Sequence, residues 1–292
     1  MSYIELFESR RPLGTFNLPA SVTGVGGHSF TLRSVAKGGG NGIVFRASPQ
    51  GTLATTDDIE ACAVKFLRQR DVTRIDRFDN EQRILAELDH EHIVQYFDHG
   101  EILLGTHQVP WVAMELGEDN LRQHIIEKGP LSRDRMKRVA CQIASALQHV
   151  HEKGIIHRDL KPDNFVWSDE AAQDVKMIDF GIAKHIGVDV SGRPLDQFTQ
   201  HLEFVGPVFY SSPELVAYSM DKSHPVDQRS DLFQLGKVLW FLATGAISAG
   251  IPARSRCPFD GRLHALVYQL LNDDPAERLQ DSAAVVDAVR GL

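Results

Sequence analysis

The stretch IIHRDLKPDN, residues 155–164, brings several chemically active side chains into one short loop. A carboxylate can accept a proton, an ammonium group can neutralise negative charge, and an amide oxygen can bind a metal ion. A second acid, Asp179, follows twenty positions after the first one in the stretch IDFG. A surface loop can also carry charges for solubility alone, so the loop by itself does not establish a reaction. The charged and amide residues of the loop are Arg158, Asp159, Lys161 and Asn164.

The elements on both sides of this loop can hold it in place. Before it, residues 132–154 have apolar side chains three and four positions apart, which predicts an amphipathic helix. Ser132 is expected at its N-cap and Gly154 at its end. After the loop, two short strand-like runs flank an acidic turn in FVWSDEAAQDVKMIDFG. The apolar positions of the predicted helix are Met136, Val139, Ala140, Ile143, Leu147 and Val150.

The pattern of the chain changes near Gly117. Residues 1–27 are rich in Pro, Gly and Ser, lack periodicity, and are interpreted as an extension. From about His28 short apolar runs alternate with glycines, which predicts antiparallel strands and one intervening helix. The later part predicts helices at roughly 228–244, 263–272 and 281–290. We therefore expect a strand-rich smaller lobe and a helix-rich larger lobe with a cleft between them.

Composition excludes several classes of protein. With 42% hydrophobic and 24% charged residues in 292, the chain is neither disordered nor fibrous. The formal charge of −8 argues against nucleic-acid binding as the main function. Three separated cysteines and the lack of a secretory signal predict a reducing, cytoplasmic location. The longest apolar run, from Val238, is too short to span a membrane and predicts a buried helix. The histidines lack partners at metal-ligand spacing.

The sequence resembles the eukaryotic-type (Hanks-type) protein kinases. The resemblance covers about residues 32–290 and rests on KGGGNGIV, CAVK, a helix carrying Glu81, HRDLKPDN, IDFG, SSPE, DLFQLG and DPAERL in the family's order. The stretch IDFGIAK is typical of bacterial members. The resemblance implies an α+β bilobal kinase fold, with a small antiparallel β-sheet lobe carrying one main helix and a larger, mostly helical lobe. The lobes are expected at 28–115 and 116–292, after the extension 1–27.

The resemblance also assigns roles to the residues that could do chemistry. Asp159 is implied to be the base that orients the substrate hydroxyl, and Lys161 to neutralise charge on the transferring phosphoryl group. Asn164 and Asp179 are implied to hold Mg²⁺. Lys65, inside the apolar run AVKFL, should contact the α- and β-phosphates of ATP, with Glu81 holding Lys65. A surface ion pair is the alternative interpretation of the last two residues.

The nucleotide site implied by the resemblance centres on a glycine-rich loop and a hinge strand. Two positions depart from the family pattern, because Lys37 replaces the first glycine and Asn41 the aromatic residue at the tip. Met114 resembles the residue at the back of the adenine pocket. The nucleotide-binding residues are predicted to be Lys37, Gly38, Gly39, Gly40, Asn41, Gly42, Val44, Ala63, Lys65, Met114, Glu115 and Leu116.

Internal packing residues of the family are also matched. Asp231 corresponds to an anchor in the buried helix, and Glu214 and Arg278 to a buried ion pair of the larger lobe. A stacked column of four side chains is implied in addition. Its members are Leu85, Tyr96, His157 and Phe180.

Substrate class and regulation follow from the same resemblance. Lys161 followed by Pro162 is typical of serine/threonine kinases. Arg158 beside the base indicates activation by a phosphate, and Thr199 is the expected acceptor. Pro207 departs from the family, which usually has a threonine there.

We therefore expect a Mg-ATP-dependent serine/threonine protein kinase that acts on a protein hydroxyl and also phosphorylates its own activation segment. Two alternatives stay open, a pseudokinase that serves as an ATP-binding scaffold and a kinase of small molecules. The expected partner is a protein substrate, with no nucleic acid and no membrane segment, and the oligomeric state is left open.

Overall fold

The structure is a computed structural model that describes residues 2–38, 42–51, 53, 59–169, 171–181, 183–185, 209–259 and 261–291. The chain divides into two compact units. The first comprises Met1–Asp89 and Val94–Gly117, and the second His90–Ile93 and Glu118–Leu292. Strands dominate the first unit and helices the second, which is the mixed α and β content that the sequence predicts.

An antiparallel sheet forms the centre of the first unit. Its six strands run in the order β3-β4-β5-β6-β8-β7, so β6 and β8 are neighbours although a helix and β7 separate them in sequence. Two further strands, β1 and β2, form a separate antiparallel hairpin. The strands of this unit are β1 (Tyr3–Glu8), β2 (Arg11–Asn17), β3 (Ser21–Thr23), β4 (Ser29–Gly38), β5 (Gly42–Gln50), β6 (Cys62–Leu67), β7 (Tyr96–Leu104) and β8 (His107–Glu115).

One face of this sheet carries the apolar core of the unit. Successive side chains of a strand point to opposite faces, and directly paired residues share a face. Phe45 pairs with Val64 and Phe66 pairs with Trp111, and all four side chains are completely buried. The rings of Phe45 and Phe66 meet edge to face, with centroids 5.8 Å apart. This face therefore packs as the hydrophobic interior of the unit.

Residues 1–27, interpreted above as an extension, contribute to that interior. Ile4 and Leu6 of β1 are completely buried and belong to the same apolar cluster as Phe45. They alternate with the exposed Tyr3 and Glu5, which is the period of a half-buried strand. Burying two large aliphatic side chains contributes about 1.5–3 kcal/mol each. The hairpin is therefore part of the folded core of the first unit.

The helix that the sequence predicts between the strands is α1 (Val72–Glu87). The side chain of Asp71 accepts a hydrogen bond from the backbone N–H of Arg74 at 3.2 Å and caps the first turn. Phe78 and Leu85, seven residues apart, both lie on the buried side of the helix.

Helices are the main regular elements in the described part of the second unit. The predicted apolar stripe of α3 is buried along its whole length. Ser132 occupies the N-cap position without a side-chain capping bond, and Gly154 adopts φ +70° just after the helix. The helices of this unit are α2 (Leu121–Lys128), α3 (Arg133–Glu152), α4 (Pro213–Met220), α5 (Arg229–Thr244), α6 (Gly261–Leu270) and α7 (Ser282–Arg290).

Helix α5 is the central buried helix. Every residue from Ser230 to Ala243 is buried, which confirms the prediction for the apolar run from Val238. A Cβ atom at Gly236 would lie 2.8 Å from the Cβ atom of Leu270, so this glycine permits the close approach of the segment that ends α6. Among the described residues, no helix combines the length and the apolar character needed to cross a membrane.

Short strands frame the loop that carries the candidate chemistry. β9 (Ile155–Ile156) pairs with β12 (Lys184–His185), and β10 (Phe165–Trp167) pairs with β11 (Val175–Met177). A 3₁₀ turn at Pro162–Asn164 leads directly into β10. Strands β10 and β11 thus flank the acidic turn between them, as predicted.

Candidate active site

The loop between β9 and β10 gathers polar side chains around Asp159. Lys161 Nζ lies 2.5 Å from Asp159 Oδ2. Asn164 Nδ2 donates to the backbone oxygen of Asp159 at 2.8 Å and to its Oδ2 at 3.2 Å. The structure therefore brings together three of the residues that the sequence singles out, and one carboxylate oxygen accepts from both neighbours.

The surroundings of Asp159 change its acidity. Partial burial raises its pKa to about 6, although the adjacent Lys161 ammonium group lowers it and the Asp179 carboxylate raises it further. At neutral pH such a carboxylate is mostly ionised, yet it is a stronger base than an exposed aspartate. Its geometry and its basicity both suit proton transfer.

Side chains of α5 hold the backbone of the loop through hydrogen bonds. Asp231 Oδ2 accepts from the N–H of His157 and Asp231 Oδ1 from the N–H of Arg158, each at 2.8 Å. Gln234, one turn further along α5, accepts from the N–H of Leu160 and donates to the oxygen of Arg158, both at 3.0 Å. The two α5 side chains therefore hold the backbone on both sides of Asp159.

A further chain of hydrogen bonds leads from Ser282 through His151 to the carboxylate of Asp231. His151 Nε2 lies 2.8 Å from Asp231 Oδ2, and Ser282 Oγ lies 2.8 Å from His151 Nδ1. A carboxylate can only accept, so His151 donates to Asp231 through Nε2, and its Nδ1 shares a hydrogen bond with the Ser282 hydroxyl. Burial raises the pKa of Asp231, but the hydrogen bond from His151 and the other donors outweigh burial and lower it overall.

Asp179 lies directly beyond β11, beside the end of the loop. The N–H of Ile178 donates to the backbone oxygen of Asn164 at 2.9 Å, which brings the segments of Asn164 and Asp179 together. Asp179 Oδ1 accepts from the N–H of Gly181 at 3.2 Å. The Phe180 ring packs against His157 with centroids 5.0 Å apart. This contact confirms one step of the implied hydrophobic column.

The backbones of Arg158 and Asp179 are left-handed. Arg158 and Asp179 each adopt φ +68°, a conformation that costs most L-residues about 1 kcal/mol or more. The hydrogen bonds from the Arg158 N–H to Asp231 and from Gln234 to the Arg158 oxygen compensate for that cost at Arg158. Backbone strain of this kind concentrates at functional sites.

In the first unit, Lys65 and Glu81 form a close ion pair. Lys65 Nζ lies 2.6 and 2.7 Å from the two carboxylate oxygens of Glu81. The Glu81 side chain is 7% exposed and that of Lys65 22%, so the pair is largely shielded from water. The interpretation as a freely exposed surface pair is therefore wrong.

Strand register gathers further predicted nucleotide residues on the Lys65 side of the sheet. Val44 pairs with Lys65, and Ala63, two residues before Lys65, pairs with Met114. Paired residues and residues two apart in a strand share one face, so these four side chains lie together. Lys37 is the partner of Val44 on β4. This face is opposite to the one that carries the apolar core.

Glu115 ends β8, and Leu116 follows it. The N–H of Glu115 donates to the backbone oxygen of Gln95 at 2.8 Å. An adenine contact by Glu115 would therefore use its carbonyl oxygen. Gly38 and Gly42 end β4 and begin β5. Gly39, Gly40 and Asn41 lie outside the described residues, as do Thr199 and Pro207.

The implied ion pair between Glu214 and Arg278 is present and buried. Arg278 Nη1 and Nη2 donate to the two carboxylate oxygens at 2.6 and 2.9 Å. The guanidinium also donates to the backbone oxygens of Arg229 at 2.9 Å, Asn272 at 2.7 Å and Asp273 at 3.3 Å. Arg278 therefore ties α4 to the start of α5 and to the turn after α6.

Sequence reasoning missed Gln234 and His151 as supports of the loop. Gln234 lies three residues after Asp231 on α5, a spacing that puts both on one helix face. A polar residue three positions after a buried acid, inside an apolar helix, is the signal that could have identified it. His151 has no such signal, because its partners lie 80 and 131 residues away.

Comparison with known proteins gives a consistent result. The sequence profile described as the protein kinase domain matches residues 39–254, more than half of the chain. The chain is 35% identical over 240 residues to a probable serine/threonine-protein kinase of Corynebacterium efficiens, covering 78% of this chain and 33% of that protein. It is 32% identical over 272 residues to the probable serine/threonine-protein kinase PknB of Corynebacterium glutamicum, covering 89% and 38%.

A third relative is the serine/threonine-protein kinase PknB of Mycobacterium tuberculosis. It is 35% identical over 235 residues, which cover 78% of this chain and 34% of that protein. The alignments thus span only about a third of the length of the curated relatives that the chain matches.

Proposed function

The chain belongs to the eukaryotic-type (Hanks-type) protein kinase family and is related to its bacterial members; from this premise we propose that it is a Mg-ATP-dependent serine/threonine protein kinase. It transfers the γ-phosphoryl group of ATP to the hydroxyl of a protein substrate. The observation that carries the proposal is the cluster of Lys161 and Asn164 around the Asp159 carboxylate. A charged loop that served solubility alone would have no reason to be clamped by two buried side chains of α5.

Asp159 is the proposed base. It orients the acceptor hydroxyl by accepting its hydrogen bond and takes its proton as the phosphoryl group is transferred. Its raised pKa of about 6 favours this role over that of an exposed aspartate. Lys161, 2.5 Å from the carboxylate, is positioned to neutralise the negative charge that develops on the transferred group.

Lys65 and Glu81 are proposed to act on the nucleotide. Lys65 binds the α- and β-phosphates, and Glu81 holds the Lys65 ammonium group through both of its carboxylate oxygens. Val44, Ala63 and Met114 share the sheet face of Lys65, which supports their assignment to the adenine site. The carbonyl of Glu115 and the backbone of Leu116 are the proposed polar contacts to the base.

The glycine-rich segment completes the proposed nucleotide site. Lys37, Gly38 and Gly42 are assigned to it together with Gly39, Gly40 and Asn41. Glycines suit such a segment, since their backbone amides can approach phosphates closely. Lys37 in place of a glycine is proposed to add a cation near the phosphates.

The oxygen donors of the second unit fit a magnesium ion. Asn164 uses its amide nitrogen as a donor to Asp159, which directs its amide oxygen away from that residue. Asp179 adds a carboxylate, and hard oxygen ligands of this kind are those that Mg²⁺ prefers. Within the described part of the chain no group of three or more His, Cys, Asp or Glu side chains is placed to hold a metal, so phosphate and water oxygens would supply the other ligands of the ion. Bound Mg²⁺ would supply charge neutralisation on the phosphates.

The substrate class and the mode of regulation are proposed from the same family. Lys161 followed by Pro162 supports a serine or threonine acceptor in a protein. Arg158 beside the base supports activation by phosphorylation, with Thr199 as the acceptor. A cytoplasmic location is also proposed. The proposed partner is a protein substrate and not a nucleic acid.

The proposal is tested by incubating the purified chain with Mg²⁺, γ-labelled ATP and a generic basic protein substrate. The test variant is Asp159→Asn, and the matched control is Asp169→Asn, an exposed aspartate in the turn after β10. Wild type and control should transfer label to Ser or Thr of the substrate, whereas Asp159→Asn should be slower by about 10²–10⁴-fold.

Two outcomes reject the proposal. Wild-type protein that transfers no label above Asp159→Asn, to the substrate or to itself, would favour the pseudokinase scaffold. Label that appears only on an added small alcohol would favour a small-molecule kinase.

A further inference from the structure

The β1 strand makes a second set of contacts beyond its hairpin partner. The N–H of Phe7 donates to the backbone oxygen of Arg68, and the N–H of Arg70 donates to the backbone oxygen of Phe7, both at 2.9 Å. These two bonds flank Gln69 and form a parallel bridge between it and Phe7. The first strand of the chain is thus joined to a segment more than sixty residues later.

Side chains strengthen this junction. Arg68 Nε donates to the backbone oxygen of Glu5, and Arg68 Nη2 lies 3.0 Å from Glu5 Oε2. The Arg68 guanidinium also lies over the Phe7 ring, 5.1 Å from its centroid. The planar guanidinium group of arginine is pre-organised, so it loses little conformational entropy for each hydrogen bond that it forms. Arg68 can therefore hold Glu5 and Phe7 in one orientation relative to its own segment.

The contacted segment is the connection between the two partners of the catalytic ion pair. We name residues 68–71 the β6–α1 joint. Lys65 lies on β6, which ends at Leu67, and Glu81 lies on α1, which begins after the capping residue Asp71. The joint therefore sets the position of the helix that carries Glu81 relative to the strand that carries Lys65.

A simpler interpretation is that the hairpin only covers the apolar face of the sheet. Ile4 and Leu6 are sufficient for that purpose, since they are the completely buried side chains of β1. The contacts of Glu5 and Phe7 are different, because they involve side chains outside the core and converge on the β6–α1 joint. Cover alone does not require two backbone hydrogen bonds and an ion pair at that place.

We propose that Glu5 and Phe7 of the N-terminal hairpin are positioning residues, which hold the β6–α1 joint so that Glu81 engages Lys65. This inference rests on the proposed kinase function, in which Lys65 must meet the phosphates of ATP. Phosphoryl transfer depends mainly on positioning and charge neutralisation, so a small displacement of Lys65 lowers its rate.

Paired double variants test this inference. Glu5→Ala/Phe7→Ala removes the side-chain contacts to the joint. Glu8→Ala/Phe16→Ala makes the same two kinds of change within the same hairpin, but Phe16 packs instead on His107, edge to face at 5.6 Å. Phe16 also packs against the apolar core of the unit, so the second variant perturbs the hairpin while it keeps the contacts to the joint described above.

Two measurements are made on each variant. Amide hydrogen exchange of the nucleotide-free protein reports local opening of α1. Steady-state kinetics then separate kcat from the KM for ATP. In Glu5→Ala/Phe7→Ala the amides of 72–87 should exchange faster by about fivefold or more. In the same variant kcat should fall by at least about threefold. In the control variant both should match wild type, while exchange near His107 can rise. Glu5→Gln, which keeps an oxygen acceptor for Arg68, should restore most of the kcat lost in Glu5→Ala.

The inference is overturned if the two double variants behave alike, or if α1 exchange rises without any loss of kcat. If Glu5→Ala/Phe7→Ala unfolds the unit, the amides throughout 96–115 will also exchange faster. In that case the single variants Glu5→Ala and Glu5→Gln are compared instead to test the inference. Absence of phosphoryl transfer in wild-type protein would reject the proposed function alone. The exchange of α1 would still show whether the hairpin holds the joint.

Discussion

The carboxylate of Asp231 accepts a 2.8 Å hydrogen bond from the backbone N–H of Arg158, a residue in the left-handed conformation 73 positions earlier in the chain. This contact joins the most buried helix of the second unit to the loop that carries Asp159. A strained backbone is thereby held in place by an ionised side chain that is itself completely buried. The arrangement makes the loop sensitive to any change in α5.

Asp231→Asn should lower the free energy of unfolding by about 1–3 kcal/mol at pH 7, because an amide cannot accept from every donor that now surrounds the carboxylate. The folded-state pKa of Asp231 is depressed, so its contribution is present above its unfolded pKa and is lost as pH falls through the folded one. The difference in free energy of unfolding between wild type and Asp231→Asn should therefore become smaller below about pH 4. Urea unfolding from pH 3 to 7 measures it, with Asp169→Asn as control. A gap that widens in acid would contradict this assignment.

Gln234→Leu should reduce kcat and leave the KM for ATP nearly unchanged. The substitution removes the acceptor of the Leu160 N–H and the donor to the Arg158 oxygen, on both sides of Asp159. It should also destabilise the protein by about 1–3 kcal/mol, since both backbone groups are buried. Gln148→Leu on α3, which removes only an exposed hydrogen bond to Glu152, is the matched control. Equal kinetics of the two variants would show that Gln234 does not support the loop.

Lys65→Met and Glu81→Leu should each lower kcat by about 10²-fold or more, because each change removes or releases the ammonium group that is proposed to contact the ATP phosphates. Each single variant should also lose about 2 kcal/mol of stability, less than a fully buried pair because Lys65 is partly exposed. Lys65→Met/Glu81→Leu should recover most of that stability without activity. Thermal unfolding and initial rates together check it, and additive losses in the double variant would argue against coupling.

Arg278→Lys should destabilise the protein by about 2 kcal/mol although it keeps the charge. An ammonium group has three donors and cannot reproduce the fork that binds Glu214 and three backbone oxygens. Arg290→Lys in the exposed pair with Asp287 is the control and should change stability by less than about 0.5 kcal/mol. The midpoints of urea unfolding distinguish the two, and similar shifts would refute the distinction.

Thr199→Ala should lower autophosphorylation and activity, since the phosphate that Arg158 is proposed to bind could not form. Mass spectrometry of protein incubated with ATP should find a phosphate on the peptide that contains Thr199. Ser191→Ala in the same segment is the comparison. Unchanged turnover of purified Thr199→Ala would reject Thr199 as the activating site.

Local patterns predicted the parts of the fold that depend on local sequence. The stripe of α3 and the apolar run from Val238 predicted buried helices, because burial of a helix face leaves a period of about 3.6 residues. The loop residues Asp159, Lys161 and Asn164 were identified together because they are close in sequence as well as in space.

The features that were missed depend on contacts between distant residues. Residues 1–27 have no long periodic pattern of apolar side chains, and only the alternation at Ile4 and Leu6 indicates a strand. The bridge from Phe7 to Gln69 consists of backbone hydrogen bonds, which any residue except proline can make. The partners of His151 likewise come from separate helices, and sequence spacing contains no information about them.

The packing of Ile4 and Leu6 against Phe30 and Phe45 has a practical consequence for anyone who prepares the protein. The family match begins at residue 39, which invites trimming of everything before it. Such a fragment would lack strands β1 to β4. The apolar side chains that these strands cover, such as Phe45, would then be exposed to water, and exposed apolar patches promote aggregation. Recombinant protein should therefore keep residues 1–38 together with the matched region.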